Sequence, residues 1–141
     1  MRRMLFGFAL FVVIAVSAMA SQVASAADPD PLKAGTILQR TELASAKGME
    51  AILVLREVPP GGESGKHTQS GNEIVYVLDG SITLEVQGKP AVTLKTGEAF
   101  TTGPGEVHNV KNASPTAPAK ALAFYVAKKG ATLEDLSLPV K

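Results

Sequence analysis

From Met49 onward the chain alternates short β-branched and Leu-rich runs with turn residues, and no stretch repeats its apolar residues at a convincing helical spacing. Met49 to Val58 is the first run, stopped by Pro59-Pro60-Gly61-Gly62. Glu73 to Leu78 follows, and Asp79-Gly80 after it predicts a hairpin into the next run. Ser81 to Val86 alternates cleanly, with Ile82, Leu84 and Val86 on one face and Ser81, Thr83 and Glu85 on the other, before a turn at Gln87-Gly88. Ala91 to Leu94, Ala99 to Thr102, Val107 to Asn112 and Ala119 to Val126 complete the series. Upstream, Thr36 to Leu38 is a short weak strand; downstream, Leu133 to Leu138 has room for one helical turn before Pro139. Short strands at this spacing predict an all-β sandwich or barrel, with the jelly roll among the standard closures.

A chain of 141 residues suits one domain. The first 26 residues differ from the rest. Arg2 and Arg3, the apolar run Leu5 to Ala20 and the small residues Ala24-Ser25-Ala26 read as a secretory signal. The apolar run is shorter than the roughly 20 residues a spanning helix needs, so no stable membrane anchor is expected after cleavage. Residues 27–48 then form an N-terminal arm, 49–128 the barrel and 129–141 a C-terminal tail, in a protein exported to the periplasm or secreted. Losing the leader removes two basic residues and no acid, leaving 12 basic against 13 acidic residues. With no basic cluster to displace counterions from phosphates, nucleic acid is excluded as a partner. There is no cysteine, so disulfides, thiolate ligands and a cysteine nucleophile are excluded and any metal must be held by N and O donors.

His67 and His108 are the two histidines, and both sit where turn-rich loops open onto strands. His67 and Gln69, two apart in an extended segment, point to one face. Glu73 follows the turn Ser70-Gly71-Asn72 and faces inward if Val75 and Val77 do. A buried carboxylate must be paired or coordinated, because an isolated charge in a low dielectric costs several kcal/mol. A divalent cation meets that need.

These residues resemble the two motifs of the cupin superfamily, G(X)5HXH(X)3,4E(X)6G and G(X)5PXG(X)2H(X)3N. Gly61, His67, Gln69, Glu73 and Gly80 match the first, and Gly97, Gly103, Gly105, His108 and Asn112 the second, with every spacing kept. Gln69 stands where the first motif has its second His, and Gly103 where the second has Pro, with Pro104 adjacent. The resemblance implies a double-stranded β-helix, a jelly-roll barrel, with a divalent metal (Fe, Mn, Ni, Zn or Cu) at His67, Gln69, Glu73 and His108. An amide oxygen is a poorer donor than imidazole, so the Gln69 change implies a weaker site. What remains is two His and one carboxylate, the ligand set of non-haem Fe(II) centres.

Three functions stay open at this point. One is a small metal-dependent enzyme, an oxygenase, isomerase or lyase acting on a small molecule. The others are a non-catalytic barrel with a degenerate site that binds or senses a small molecule or metal, and a structural or partner-binding barrel with no ligand at all. Tyr76, Tyr125, Phe100 and Phe124 read as core aromatics with a pocket-lining role as the alternative, and Glu98, Glu106, Lys66 and Lys111 as exposed turn charges. Ile74, Tyr76 and Leu78 would face away from a lumen that Glu73, Val75 and Val77 line. Either a second sheet of the barrel or a homodimer interface is expected to cover them.

Overall fold

The computed structural model describes residues 35–132, 135–136 and 138–140. The leader and the first residues of the arm lie outside the described residues. Ten strands in chain order form the fold: β1 (Thr36–Glu42), β2 (Met49–Val58), β3 (His67–Thr68), β4 (Asn72–Asp79), β5 (Ser81–Val86), β6 (Val92–Lys95), β7 (Ala99–Thr102), β8 (His108–Asn112), β9 (Ala119–Lys128) and β10 (Leu138–Pro139). No helix occurs among the described residues. The strands make two five-stranded antiparallel sheets, β1-β2-β9-β4-β7 and β10-β3-β8-β5-β6. This is the all-β jelly-roll barrel expected from the strand pattern.

Alternation along each strand builds the core. Ile52 and Val54 of β2, Val75 and Val77 of β4, and Ala119, Ala121, Ala123 and Tyr125 of β9 face Ile82 and Leu84 of β5 and Leu94 of β6. Ile52, Val54 and Val77 are wholly excluded from solvent, and each such side chain contributes about 1.5–3 kcal/mol of transfer free energy. The β2–β9 ladder runs without a slip from Met49↔Lys128 to Val58↔Ala119. That regularity sets which β9 residues face inward, and all of them except Tyr125 are alanine.

One expectation is overturned. β4 and β5 are consecutive but do not pair: β4 lies between β9 and β7, and β5 between β8 and β6. Asp79-Gly80 is therefore a crossover between sheets and not a hairpin. Gly80 has φ of 77°, and a Cβ there would come within 3.2 Å of Ala119 and of the Pro118 carbonyl. A single residue in the left-handed region redirects the chain with no loop at all.

The ends of the barrel are also tied in. β1 is longer than the three residues expected and pairs with β2 from Thr36↔Leu55 to Glu42↔Glu50. In the tail, Leu138 and Pro139 pair with Thr68 and His67, and Val140 N donates to Lys66 O at 3.1 Å. Thus both ends of the described chain are held by backbone bonds, the second directly beside the first histidine.

Candidate functional site

The four residues singled out by the motifs converge. His67 and His108 are opposite one another in the β3–β8 register, with ring centroids 4.2 Å apart. Glu73, at the start of β4, reaches them from the facing sheet: its Oε2 is 3.5 Å from His108 Nε2. The Gln69 Nε2 amide donates to Glu73 Oε2 at 3.3 Å and to Thr102 Oγ1, and Thr102 Oγ1 donates to the same carboxylate oxygen at 3.2 Å. All five side chains are buried. Gly71 makes this possible locally. A Cβ at that position would fall 1.9 Å from Val126 O, so only glycine lets the turn before Glu73 press onto β9.

Both imidazoles are oriented through Nδ1. His67 Nδ1 is 3.0 Å from Gly65 O and His108 Nδ1 is 3.0 Å from Glu106 O. Carbonyl oxygens only accept, so each Nδ1 carries a proton and Nε2 is the position left for coordination, as backbone carbonyls arrange in metal-bound histidines. The buried atoms His108 Nε2 and Gln69 Oε1 have no hydrogen-bond partner among the described residues. Orphaned buried acceptors of this kind call for an occupant, and the donor set of two imidazoles, one carboxylate and one amide oxygen suits a divalent ion. As the side chains stand, no three His, Cys, Asp or Glu residues among those described already form a metal-holding group. The Glu73 carboxylate is engaged by Thr102, Gln69 and the Tyr125 hydroxyl.

The electrostatics follow from this packing. Burial pushes the Glu73 carboxyl up, but the His108 ring 3.5 Å away, the Tyr125 hydroxyl and the His67 ring outweigh it and hold the group below the ordinary value. His67 is depressed, chiefly by burial. For His108 burial also acts downward, yet Glu73 and the Glu106 carbonyl overcome it and its pKa is raised. Tyr125 is pushed up strongly by burial and by the Glu73 charge, so it stays a neutral donor.

Thr102 and Arg56 escaped the sequence reading; with Tyr125, whose pocket-lining role was the alternative there, they reach the site from β7, β2 and β9. A cavity of about 50 Å³ adjoins it, lined on its polar side by Arg56, Ser64, His67, Glu73 and Tyr125. Ser64 Oγ lies 3.3 Å from His67 Nδ1 and donates to Asn109 Oδ1 at 3.2 Å. Asn109 Nδ2 donates outward to Glu63 at 2.9 Å and Glu85 at 3.2 Å. Asn112, the last residue of the second motif, is a staple: its Nδ2 donates to the carbonyls of Val58, Pro59 and Ala117. Among the aromatics, Tyr125 is buried and lines the cavity, whereas Tyr76 and Phe124 are exposed on the outer face. Lys111 is a half-buried charge paired with Glu63 and Glu85. Glu106 is half-buried, its side chain closing the turn onto Gly103 N at 2.8 Å.

The outer face of the larger sheet also departs from one expectation. Ile74, Tyr76 and Leu78 are 45%, 44% and 39% exposed. The second sheet lies on the opposite side of β4, so it cannot cover them.

A family model for the cupin domain matches residues 54–125, more than half of the chain. The chain belongs to this family. Among solved structures it is similar to a protein from Klebsiella pneumoniae with a double-stranded β-helix domain (22% identity, 82% of this chain and 89% of that one, TM-score 0.59). It is also similar to a cupin domain from Bordetella pertussis (26% identity, 66% and 91%, TM-score 0.51). A DMSP lyase from Ruegeria pomeroyi shares the fold at 21% identity, 62% of this chain and 42% of that one, TM-score 0.50. No curated protein matches the chain at a significant level.

Proposed function

We propose that this chain is an exported cupin that holds a divalent metal through His67, Glu73 and His108, with Gln69 Oε1 as a weaker fourth donor, beside a cavity that admits a small molecule. The observation that carries the reading is the pair of buried acceptors without partners, His108 Nε2 and Gln69 Oε1, beside two rings oriented through Nδ1. A bound ion would supply Lewis acidity or oxygen activation, the chemistry of oxygenases, isomerases and lyases. The chain's own residues hold Glu73 ionised, fix the imidazole tautomers and wall the centre off from water. A non-catalytic metal- or ligand-binding barrel is the second reading, favoured by the Glu73 carboxylate already being bound by Thr102 and Gln69.

The test is a chelator competition titration at neutral pH on the wild type, Gln69→His and Glu73→Gln. Gln69→His should tighten binding about 10-fold, the lower end of the range for changes to a metal's ligand environment. Glu73→Gln should weaken it by more than about 100-fold, because it removes the only anionic donor and leaves the ion uncompensated. Copper or zinc should compete best in vitro whatever the working ion. Equal release from all three proteins, or no binding at all, removes the metal from the proposal.

The exposed apolar face of the larger sheet supports a homodimer. Ile74, Tyr76, Leu78 and Phe124 lie on it, and Lys120 and Glu57 at its rim pair with each other at 3.0 Å. Because those two charges cancel within one chain, they would present no net charge to a second copy docking on this face about a two-fold axis.

A further inference from the structure

The barrel interior keeps a space that close packing would fill. Four of the inward side chains of β9, at positions 119, 121, 123 and 127, are alanine, a residue that suits strands poorly and leaves room beside larger neighbours. Ala121 lies between Arg56 of β2 and Val77 of β4, and Ala123 between Val54 and Val75. The result is a cavity of about 50 Å³ with Val58, Val75, Ile82, Val110, Ala121 and Ala123 as its apolar wall. Protein interiors are packed as densely as organic crystals, and atoms lining a void lose their contacts outright. Such a space asks for an occupant.

The polar residues at its edge are already engaged. The Tyr125 hydroxyl accepts from Arg56 Nη2 at 3.3 Å and donates to the Glu73 carboxylate, and Arg56 is not free. Ser64 Oγ donates to Asn109 Oδ1 at 3.2 Å and accepts from Val110 N at 2.9 Å. Among the described residues, the buried side-chain atoms without partners belong to Thr68, Gln69 and His108, none of which lines this cavity. A buried water needs two to four polar partners, and an apolar cavity that does not supply them stays dry and takes apolar guests such as xenon. Size narrows the choice. Since one water occupies about 30 Å³ of liquid, about 50 Å³ suits a molecule of two non-hydrogen atoms. His67 and Glu73, assigned above to a metal, close one end.

We propose that this cavity is a binding pocket for dioxygen, an apolar molecule of two atoms, held among the alanine and valine methyl groups against His67 and Glu73. The inference deepens the functional reading above, selecting oxygen activation over isomerase or lyase chemistry, and rests on the metal only for the use made of the gas. Occupancy depends on the size and apolarity of the wall, with no net charge required. Half-saturation can be no tighter than about 6 mM for so few atoms, so the gas exchanges freely and the pocket acts by placing it.

Dioxygen is paramagnetic and reports its own position. Methyl relaxation is measured by NMR in chelator-treated protein under oxygen and under nitrogen at equal pressure, and again after adding zinc, which is redox-inert. The oxygen-induced enhancement at the Ala121, Ala123 and Ile82 methyl groups should exceed that at Val77 and Ala119, which are wholly buried but do not line the cavity, by about 5-fold or more, and xenon should suppress it by competing for the space. Ala121→Val fills the cavity and should cut the enhancement at Ala123 about 5-fold. Ile82→Val, a milder change that removes one methyl group from the wall, should increase it, and keeps the test open if Ala121→Val does not fold. Equal enhancement at Ala123 and Ala119, a water cross-peak to the Ala121 or Ala123 methyl group in gas-free protein, or a signal that neither variant moves overturns the proposal. Zinc uptake with no gas in the cavity overturns the pocket and leaves the metal reading intact. Gas in the cavity of protein that takes up no zinc supports the pocket and removes the metal.

Discussion

The two faces of the larger sheet carry similar side chains under opposite constraints. Along β4, Val75 and Val77 face the barrel interior beside Glu73, while Ile74, Tyr76 and Leu78 face outward. The inner face is closed on every side, so each polar atom there needs a specific partner and each methyl group fills a fixed volume. The outer face meets solvent in the monomer and tolerates what the inner face cannot. The candidate site lies on the closed face: Glu73, Thr102, Tyr125 and Arg56 all project inward from that one sheet. Association, as proposed, belongs to the open one.

The largest effect should come from placing the same charge on each side. Val77 is wholly buried and Leu78, its neighbour, is not. Val77→Asp puts an unpaired carboxylate between the sheets and should cost more than about 4 kcal/mol, measured by urea unfolding. Leu78→Asp should stay within about 0.5 kcal/mol for dilute monomer, yet lower the sedimentation coefficient at high concentration if the open face docks a second copy. Similar losses of stability for the two variants would erase the distinction between the faces.

A finer comparison uses adjacent threonines of β7. Thr102 is buried and gives its hydroxyl hydrogen to Glu73 while accepting from Gln69; Thr101 is exposed opposite Ile74. Thr102→Val keeps the shape and removes the hydroxyl, so it should cost about 1–3 kcal/mol by leaving buried partners unsatisfied. Thr101→Val should be neutral or slightly stabilising, since β-branched apolar residues suit an outer strand position. Both are read by the same unfolding experiment, and a neutral Thr102→Val would show that Glu73 does not depend on that bond.

Much of this arrangement is legible in the amino-acid sequence. Period-2 alternation delimits β5 to the residue, and motif spacing brings His67, Gln69, Glu73 and His108 together. What was not legible has physical reasons. Asp79-Gly80 signals that the chain turns, but turn chemistry does not say which sheet the next strand joins, and here it joins the other one. Thr102, Tyr125 and Arg56 come from strands far apart in the chain, and only the strand order makes them neighbours. A signal for Arg56 was nonetheless present: it shares the inward alternation of Ile52, Val54 and Val58, and an arginine on a core face is seldom there for packing alone. The Ser64, Asn109, Glu63 and Glu85 chain had no such signal, because each of those residue types is ordinary in loops and on strand surfaces.

The smallest expected effect concerns pH in metal-free protein. His67 is depressed below 6.5, mainly by burial, so between its folded and unfolded values the unfolded chain binds more protons and stability rises with pH. His108 is raised above 6.5 because Glu73 and the Glu106 carbonyl outweigh its burial. Its contribution is fully present below 6.5 and is lost as pH rises through the folded value, so stability falls with pH there. The two slopes lie on opposite sides of 6.5, each bounded by about 1.4 kcal/mol per pH unit, so stability should pass through a maximum close to that pH. Glu73, held below 4.5 despite its burial, adds stability that is present above 4.5 and lost as pH falls through its folded value. Acid should therefore unfold the protein through Glu73 and His67 together. Urea unfolding in chelator from pH 4 to 8 measures this directly. His67→Gln should leave a curve that declines with rising pH near neutrality, and His108→Gln one that climbs. If both variants slope the same way, the two rings do not hold opposite charge preferences, and the ion pair of His108 with Glu73 does not govern the metal-free site.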